Sequence, residues 1–227
     1  MNDEMRVKIC GITNPEDARA ALTAGADLIG LVFVPASRRY VTLARAKTIL
    51  ADPTIGPSAV GLFQDDALEN VVETVNELGL ETVQLHGHEP LDYLESLAKR
   101  LPKCRWIKAM MIRGPEDIEA IEAYAKPSCF RSRMTAVLLD GPGGGMGTAF
   151  DWREVADYLR PRRLHLPPIF LAGGLTPENV VEAIGILNPD GVDVSSGVEA
   201  SPGCKEVEKM KIFINLSKGW NRRQAEL

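Results

Sequence analysis

The feature that most constrains this chain is a pattern that recurs eight times without repeating its residues: a short β-branched run, a turn, then a stretch of helical periodicity. The runs are Arg6–Cys10, Leu28–Phe33, Ala59–Phe63, Thr82–His86, Arg105–Ala109, Ala136–Asp140, Ile169–Ala172 and Gly191–Ser195. Between them, Pro15–Ala24, Ala67–Leu78, Pro90–Lys99, Glu116–Tyr124, Trp152–Leu159 and Pro177–Leu187 place apolar residues at helical spacing. Proline in a first turn marks the entries at Asn14-Pro15-Glu16, Gly114-Pro115-Glu116 and Thr176-Pro177-Glu178. Strands alternating with helices make βαβ units and a parallel sheet. An open doubly wound sheet usually carries a GxGxxG turn after its first strand, but here that turn reads Cys10-Gly11-Ile12-Thr13. The expected fold is therefore α/β: a single (β/α)8 TIM barrel closed by a parallel eight-stranded sheet.

A length of 227 residues suits one such domain, spanning 1–227 with its core at about 6–218, a short N-terminal extension and a charged tail. The net charge of −5 argues against nucleic acid or an anionic membrane as partner, because both reward a basic surface. No apolar stretch reaches transmembrane length, and Met1-Asn2-Asp3-Glu4 does not open a signal peptide. A cytoplasmic location is expected. The cysteines at 10, 104, 129 and 204 lack CxxC spacing and should be thiols there. Monomer and homodimer both remain open.

Barrels of this kind place reacting groups at the C-terminal strand ends and in the loops beyond them. On the first strand, alternation puts Lys8 and Cys10 on one face. A lone cysteine is commonly a small buried hydrophobe, whereas a thiol at the rim beside Gly11 is placed as a base or nucleophile. Asp140, ending an apolar run before glycines, is a turn former or a partly desolvated acid. The clearest signal is paired. Gly173-Gly174 after strand seven and Ser195-Ser196-Gly197 after strand eight offer backbone N–H groups and hydroxyls where this fold holds phosphate.

Arg38 and Arg39 follow strand two, as solvated surface or as a clamp for a substrate carboxylate. Gln84 and His86 share a face and line the pocket at strand four. His86-Gly87-His88 invites a metal, but no third ligand has suitable spacing, so none is expected. Strands one and eight adjoin in a closed barrel, so Asp193 is a partner for Lys8. Gly141–Thr148 is a spacer or a mobile cover.

Together these segments resemble phosphoribosylanthranilate isomerases. The likeness rests on Val7-Lys8-Ile9-Cys10-Gly11-Ile12-Thr13, Gly30-Leu31-Val32-Phe33 with Ser37-Arg38-Arg39-Tyr40-Val41, and Val83-Gln84-Leu85-His86-Gly87. It continues through Leu138-Leu139-Asp140, Gly147 with Phe150-Asp151-Trp152, Ala172-Gly173-Gly174-Leu175 and Val192-Asp193-Val194-Ser195-Ser196-Gly197-Val198-Glu199. The resemblance implies an Amadori rearrangement of N-(5-phosphoribosyl)anthranilate, with no metal or organic cofactor. It implies that Asp140 is the general acid on the ring oxygen and Cys10 the general base at C2. Arg39 would hold the anthranilate carboxylate and the two glycine-rich loops the phosphate. An acid and a base ready at one pH need opposite environments, so Asp140 is expected to be raised and Cys10 lowered by a nearby positive charge.

The chain departs from the family pattern at Gly147-Thr148-Ala149-Phe150, where a Lys, Arg or Gln usually precedes the Phe, and at His88, where Asp or Asn is usual. Two alternatives stand beside the isomerase reading. One is another phosphate-gripping barrel isomerase. The other is a non-catalytic binder of a phosphorylated ligand, which would need neither Cys10 nor Asp140.

Overall fold

In the computed structural model the eight runs close into one ring, β1-β2-β3-β4-β5-β6-β7-β8, every pair parallel and β8 returning to β1. The structure describes residues 4–113, 116–125, 132–141 and 151–220. The strands are β1 Arg6–Cys10, β2 Leu28–Val32, β3 Ala59–Phe63, β4 Thr82–Leu85, β5 Arg105–Met111, β6 Met134–Asp140, β7 Ile169–Leu171 and β8 Gly191–Val194. Most are buried on both faces, which is why they read as nearly continuous apolar runs.

Alternation sorts each strand into two cores. Val7, Ile9, Val83, Val137 and Leu139 point outward into the layer beneath the helices. Leu28, Val60, Ile107, Ala109, Ala136, Leu138, Phe170 and Ala172 fill the barrel interior. Above them Cys10 packs with Val32 and Leu62. By the same alternation, Lys8, Gln84, Asp140 and Asp193 belong to the inner face.

The helices are α1 Pro15–Thr23, α2 Leu43–Leu50, α3 Leu68–Leu78, α4 Leu91–Arg100, α5 Glu116–Ala125, α6 Trp152–Leu159, α7 Val180–Leu187 and α8 Val207–Lys218. Asn14, Thr42 and Asp151 cap α1, α2 and α6 by accepting first-turn amide hydrogens. At α4 the N-cap is Pro90, without a side-chain cap.

Two helices, α2 and α8, lie outside the sequence expectations. Helix α7 starts at Val180 rather than Pro177, because Asn179 closes a turn first. Its Oδ1 accepts from Thr176 N at 2.8 Å and its Nδ2 donates to Gly174 O at 2.9 Å. A further hairpin, β9 Glu199–Ser201 and β10 Cys204–Lys205, pairs antiparallel beyond β8. Pro115, Cys129 and the segment 142–150 lie outside the described residues, as does any role of that segment as a cover. No helix among the described residues is long and apolar enough to cross a membrane.

Candidate active site

The C-terminal rim carries two polar clusters, one on β1, β2 and β8 and the other on β4, β6 and β7. The first is built on Lys8, which is 0% exposed and donates to Asp193 Oδ1 at 2.8 Å. The two residues are in register across the β1–β8 seam, so strand pairing itself brings the charges together. Cys10 stands two residues further along β1 on the same face. Gly30 leaves the room it needs: a Cβ there would meet Cys10 Sγ at 2.7 Å and Lys8 Nζ at 3.2 Å.

Burial pushes the Cys10 thiol up, and Lys8 opposes that only in part because Asp193 acts the other way. This corrects the expectation that a neighbouring cation lowers Cys10. Lys8 and Lys205 do lower it, but burial, with Asp193 beside it, raises it more.

Arg39 runs its stem over Gly11, where a Cβ would meet its Cδ at 2.8 Å and Ser195 Oγ at 2.9 Å. Its guanidinium is held from one side by Glu199, Nε to Oε1 at 2.9 Å and Nη2 to Oε2 at 2.8 Å. Arg38 is exposed. The Ser195 hydroxyl is buried and has no hydrogen-bond partner among the described residues.

In the second cluster, Gln84 Nε2 lies 2.9 Å from His86 Nδ1, and His86 Nε2 lies 3.1 Å from Asp140 Oδ2. With the glutamine amide donating, the imidazole accepts at Nδ1 and gives its Nε2 hydrogen to Asp140 Oδ2. That leaves Asp140 Oδ1 for other contacts on the side of Gly173, where a Cβ would meet it at 2.8 Å. Gly173 and Gly174 take φ of +81° and +67°, conformations that other residues rarely adopt. Among the described residues, their amides and that of Ser195 have no backbone partner. Gly197 brings the β8 loop onto the β7 loop so closely that any Cβ would collide with Leu175 O. The paired glycine loops are therefore one surface, with Ser196 opening the short turn Ser196–Val198 that follows β8.

Sequence reasoning missed a third feature, a buried clasp behind His86. Lys108 donates to Glu89 Oε2 at 2.9 Å and to Gly87 O at 2.6 Å. Glu89 Oε1 accepts from the amides of Asp65 at 3.1 Å and Gly87 at 3.0 Å. A lysine inside the apolar run Arg105–Met111 was the available signal. His88 turns away, 93% exposed and beside Asp65, so it and His86 do not share a site. Among the described residues no three His, Cys, Asp or Glu side chains gather as metal ligands. A cavity of about 350 Å³ is lined by Phe33, Tyr40, Phe63, Asp65 and Asp66, and by none of the candidate acid, base, arginine or glycine-loop residues.

Two walls therefore face one mouth, a thiol beside a lysine on β1 and a histidine-held carboxyl on β6, with glycine loops on β7 and β8 between them. The family model for N-(5'-phosphoribosyl)anthranilate isomerase matches residues 7–216. The chain belongs to the phosphoribosylanthranilate isomerase family. The isomerase of Myxococcus xanthus is 40% identical over 221 residues, 96% of this chain and 98% of that one. The crystal structure of the isomerase from Thermotoga maritima superposes with a TM-score of 0.82 at 38% identity, covering 95% of this chain and 100% of the other. A further phosphoribosylanthranilate isomerase structure, holding reduced 1-(o-carboxyphenylamino)-1-deoxyribulose 5-phosphate, gives a TM-score of 0.80 at 37% identity over 95% and 100%.

Proposed function

We infer that this member of the phosphoribosylanthranilate isomerase family converts N-(5-phosphoribosyl)anthranilate to 1-(2-carboxyphenylamino)-1-deoxyribulose 5-phosphate in tryptophan biosynthesis. The observation that carries the reading is the separation of two proton-handling groups across one mouth, Cys10 beside Lys8 and Asp140 against His86. A ligand binder needs neither.

Asp140 protonates the furanose ring oxygen as the C1–O bond breaks, and the anthranilate nitrogen supplies the electron pair that forms the Schiff base. Cys10 then takes the proton from C2, and the C–H electrons neutralise the iminium to give an enolamine, which tautomerises to the ketose. The product is an isomer of the substrate, so one C–O cleavage and the accompanying proton transfers complete the reaction, and none of them calls for a metal or an organic cofactor. The positive charge of the iminium offsets the burial that holds Cys10 up, so the thiol gives its proton to solvent as the intermediate forms, and the thiolate regains one from C2.

The phosphate sits on the amides of Gly173, Gly174 and Gly197 with the hydroxyls of Ser195 and Ser196, and Arg39 takes the anthranilate carboxylate. Gln84 acts through His86, and His86 orients Asp140. The barrel works as one catalytic domain in the cytoplasm.

The test is to follow loss of fluorescent phosphoribosylanthranilate by the purified protein without added metal. Conversion to the ketose phosphate is expected. An inert protein that still binds reduced product would favour the binder reading.

A further inference from the structure

Arg39 and Glu199 are 160 residues apart and meet through both guanidinium nitrogens of one edge. The meeting depends on the β9–β10 hairpin, which brings a second cation to the same carboxylate. Lys205 Nζ donates to Glu199 Oε1 at 2.9 Å and to Ser195 O at 3.0 Å. The hairpin is pinned in turn, because Lys205 N donates to Asp17 Oδ2 at 2.9 Å and Thr13 Oγ1 to Gly203 O at 2.5 Å. The side chains of Arg39, Glu199 and Lys205 are 16%, 5% and 0% exposed.

Two consequences follow from that geometry. The first is charge: two cations share one carboxylate in a half-closed site, leaving one unit of positive charge unmatched. A second carboxylate arriving there completes the balance. The second is shape. A guanidinium has two forks, and Glu199 occupies the one made by Nε and Nη2. The end-on fork of Nη1 and Nη2 remains, and among the described residues nothing is hydrogen-bonded to Nη1.

We propose that Glu199, backed by Lys205, is a positioning residue that grips one fork of Arg39 so that the other is preset for the carboxylate of the substrate. This rests on the reading that Arg39 binds that carboxylate. It opposes the simplest alternative, in which Glu199 occupies the site and must be displaced.

The experiment measures binding of two inert probes, reduced 1-(o-carboxyphenylamino)-1-deoxyribulose 5-phosphate and the same molecule without its ring carboxylate. Wild type, Glu199→Gln, Glu199→Asp and Arg39→Met are compared by calorimetry. Glu199→Gln is expected to weaken the carboxylate probe by about tenfold or more, the scale of one charge-assisted hydrogen bond, and to leave the other probe unchanged. Glu199→Asp, which keeps the charge, should fall between and serves if the glutamine variant does not fold. Equal losses on both probes, no loss, or tighter binding of the carboxylate probe would each overturn the proposal. Arg39→Met tests the underlying reading separately. If it fails to discriminate between the probes, Arg39 is not the carboxylate site. If it discriminates and the Glu199 variants do not, only the positioning role is lost.

Discussion

Lys8 and Asp193 face each other across the seam that closes the barrel, Nζ to Oδ1 at 2.8 Å, with Cys10 on the same face as the lysine. The pair sets the thiol from both directions, since Lys8 lowers it and Asp193 raises it against a background of burial. Removing Lys8 should therefore move Cys10 further up, and removing the charge of Asp193 should move it down. The check is the pH dependence of iodoacetamide modification at the Cys10 peptide in Lys8→Met and Asp193→Asn. Opposite displacements of the midpoint are expected. Identical midpoints in wild type and both variants would mean the pair is only structural.

His86 holds the carboxyl of Asp140 at 3.1 Å while Gln84 holds the imidazole at 2.9 Å. Replacing His86 by Ala should lower kcat by roughly tenfold or more, since a hydrogen bond to a charged group is worth about 1.5–3 kcal/mol. Affinity for reduced product should change much less. Steady-state kinetics with a binding titration separate the two effects; a loss confined to binding would contradict the orienting role.

The Lys108–Glu89 pair lies out of water, its side chains 3% and 2% exposed. Breaking one partner strands the other, at a cost of about 3–5 kcal/mol, whereas replacing both with apolar residues is much milder. Denaturant unfolding of Glu89→Gln, Lys108→Met and a Glu89→Leu/Lys108→Met double variant should show that order. A double variant as unstable as the two losses summed would show that the charges are not coupled.

Gly197 packs on Leu175 O with no room for a methyl group. Gly197→Ala should therefore part the β7 and β8 loops and weaken binding of inorganic phosphate. Phosphate titration of the folded variant checks this; unchanged affinity would detach Gly197 from the grip.

How much of this was legible in the sequence follows from range. The strands were legible because a parallel strand buried on both faces is an apolar run wherever it occurs, and β1 and β3 carry the expected ends. The Lys8–Asp193 pair was legible because closure makes β1 and β8 neighbours. Helices α2 and α8 were not: α8 keeps Val207, Ile212 and Leu216 exposed, which blurs its apolar face, and α2 buries only Ala46 and Ile49. Glu199 was named only as part of a motif, because its partner Arg39 reaches it through a hairpin whose second strand has two residues. The direction of Cys10 was misjudged for a related reason. The cation two residues away and the carboxylate opposite it are visible in the sequence, but the burial around the thiol, which outweighs both, is a property of the folded barrel.

We propose that Cys10 and Asp140 divide the proton transfers between them. The direct measurement is turnover of phosphoribosylanthranilate by wild type, Cys10→Ala and Asp140→Ala, with binding of reduced product measured on each. A loss of about 10²–10⁴-fold in kcat is expected for each variant, with product-analogue affinity largely kept. Near-normal turnover in either variant would contradict it.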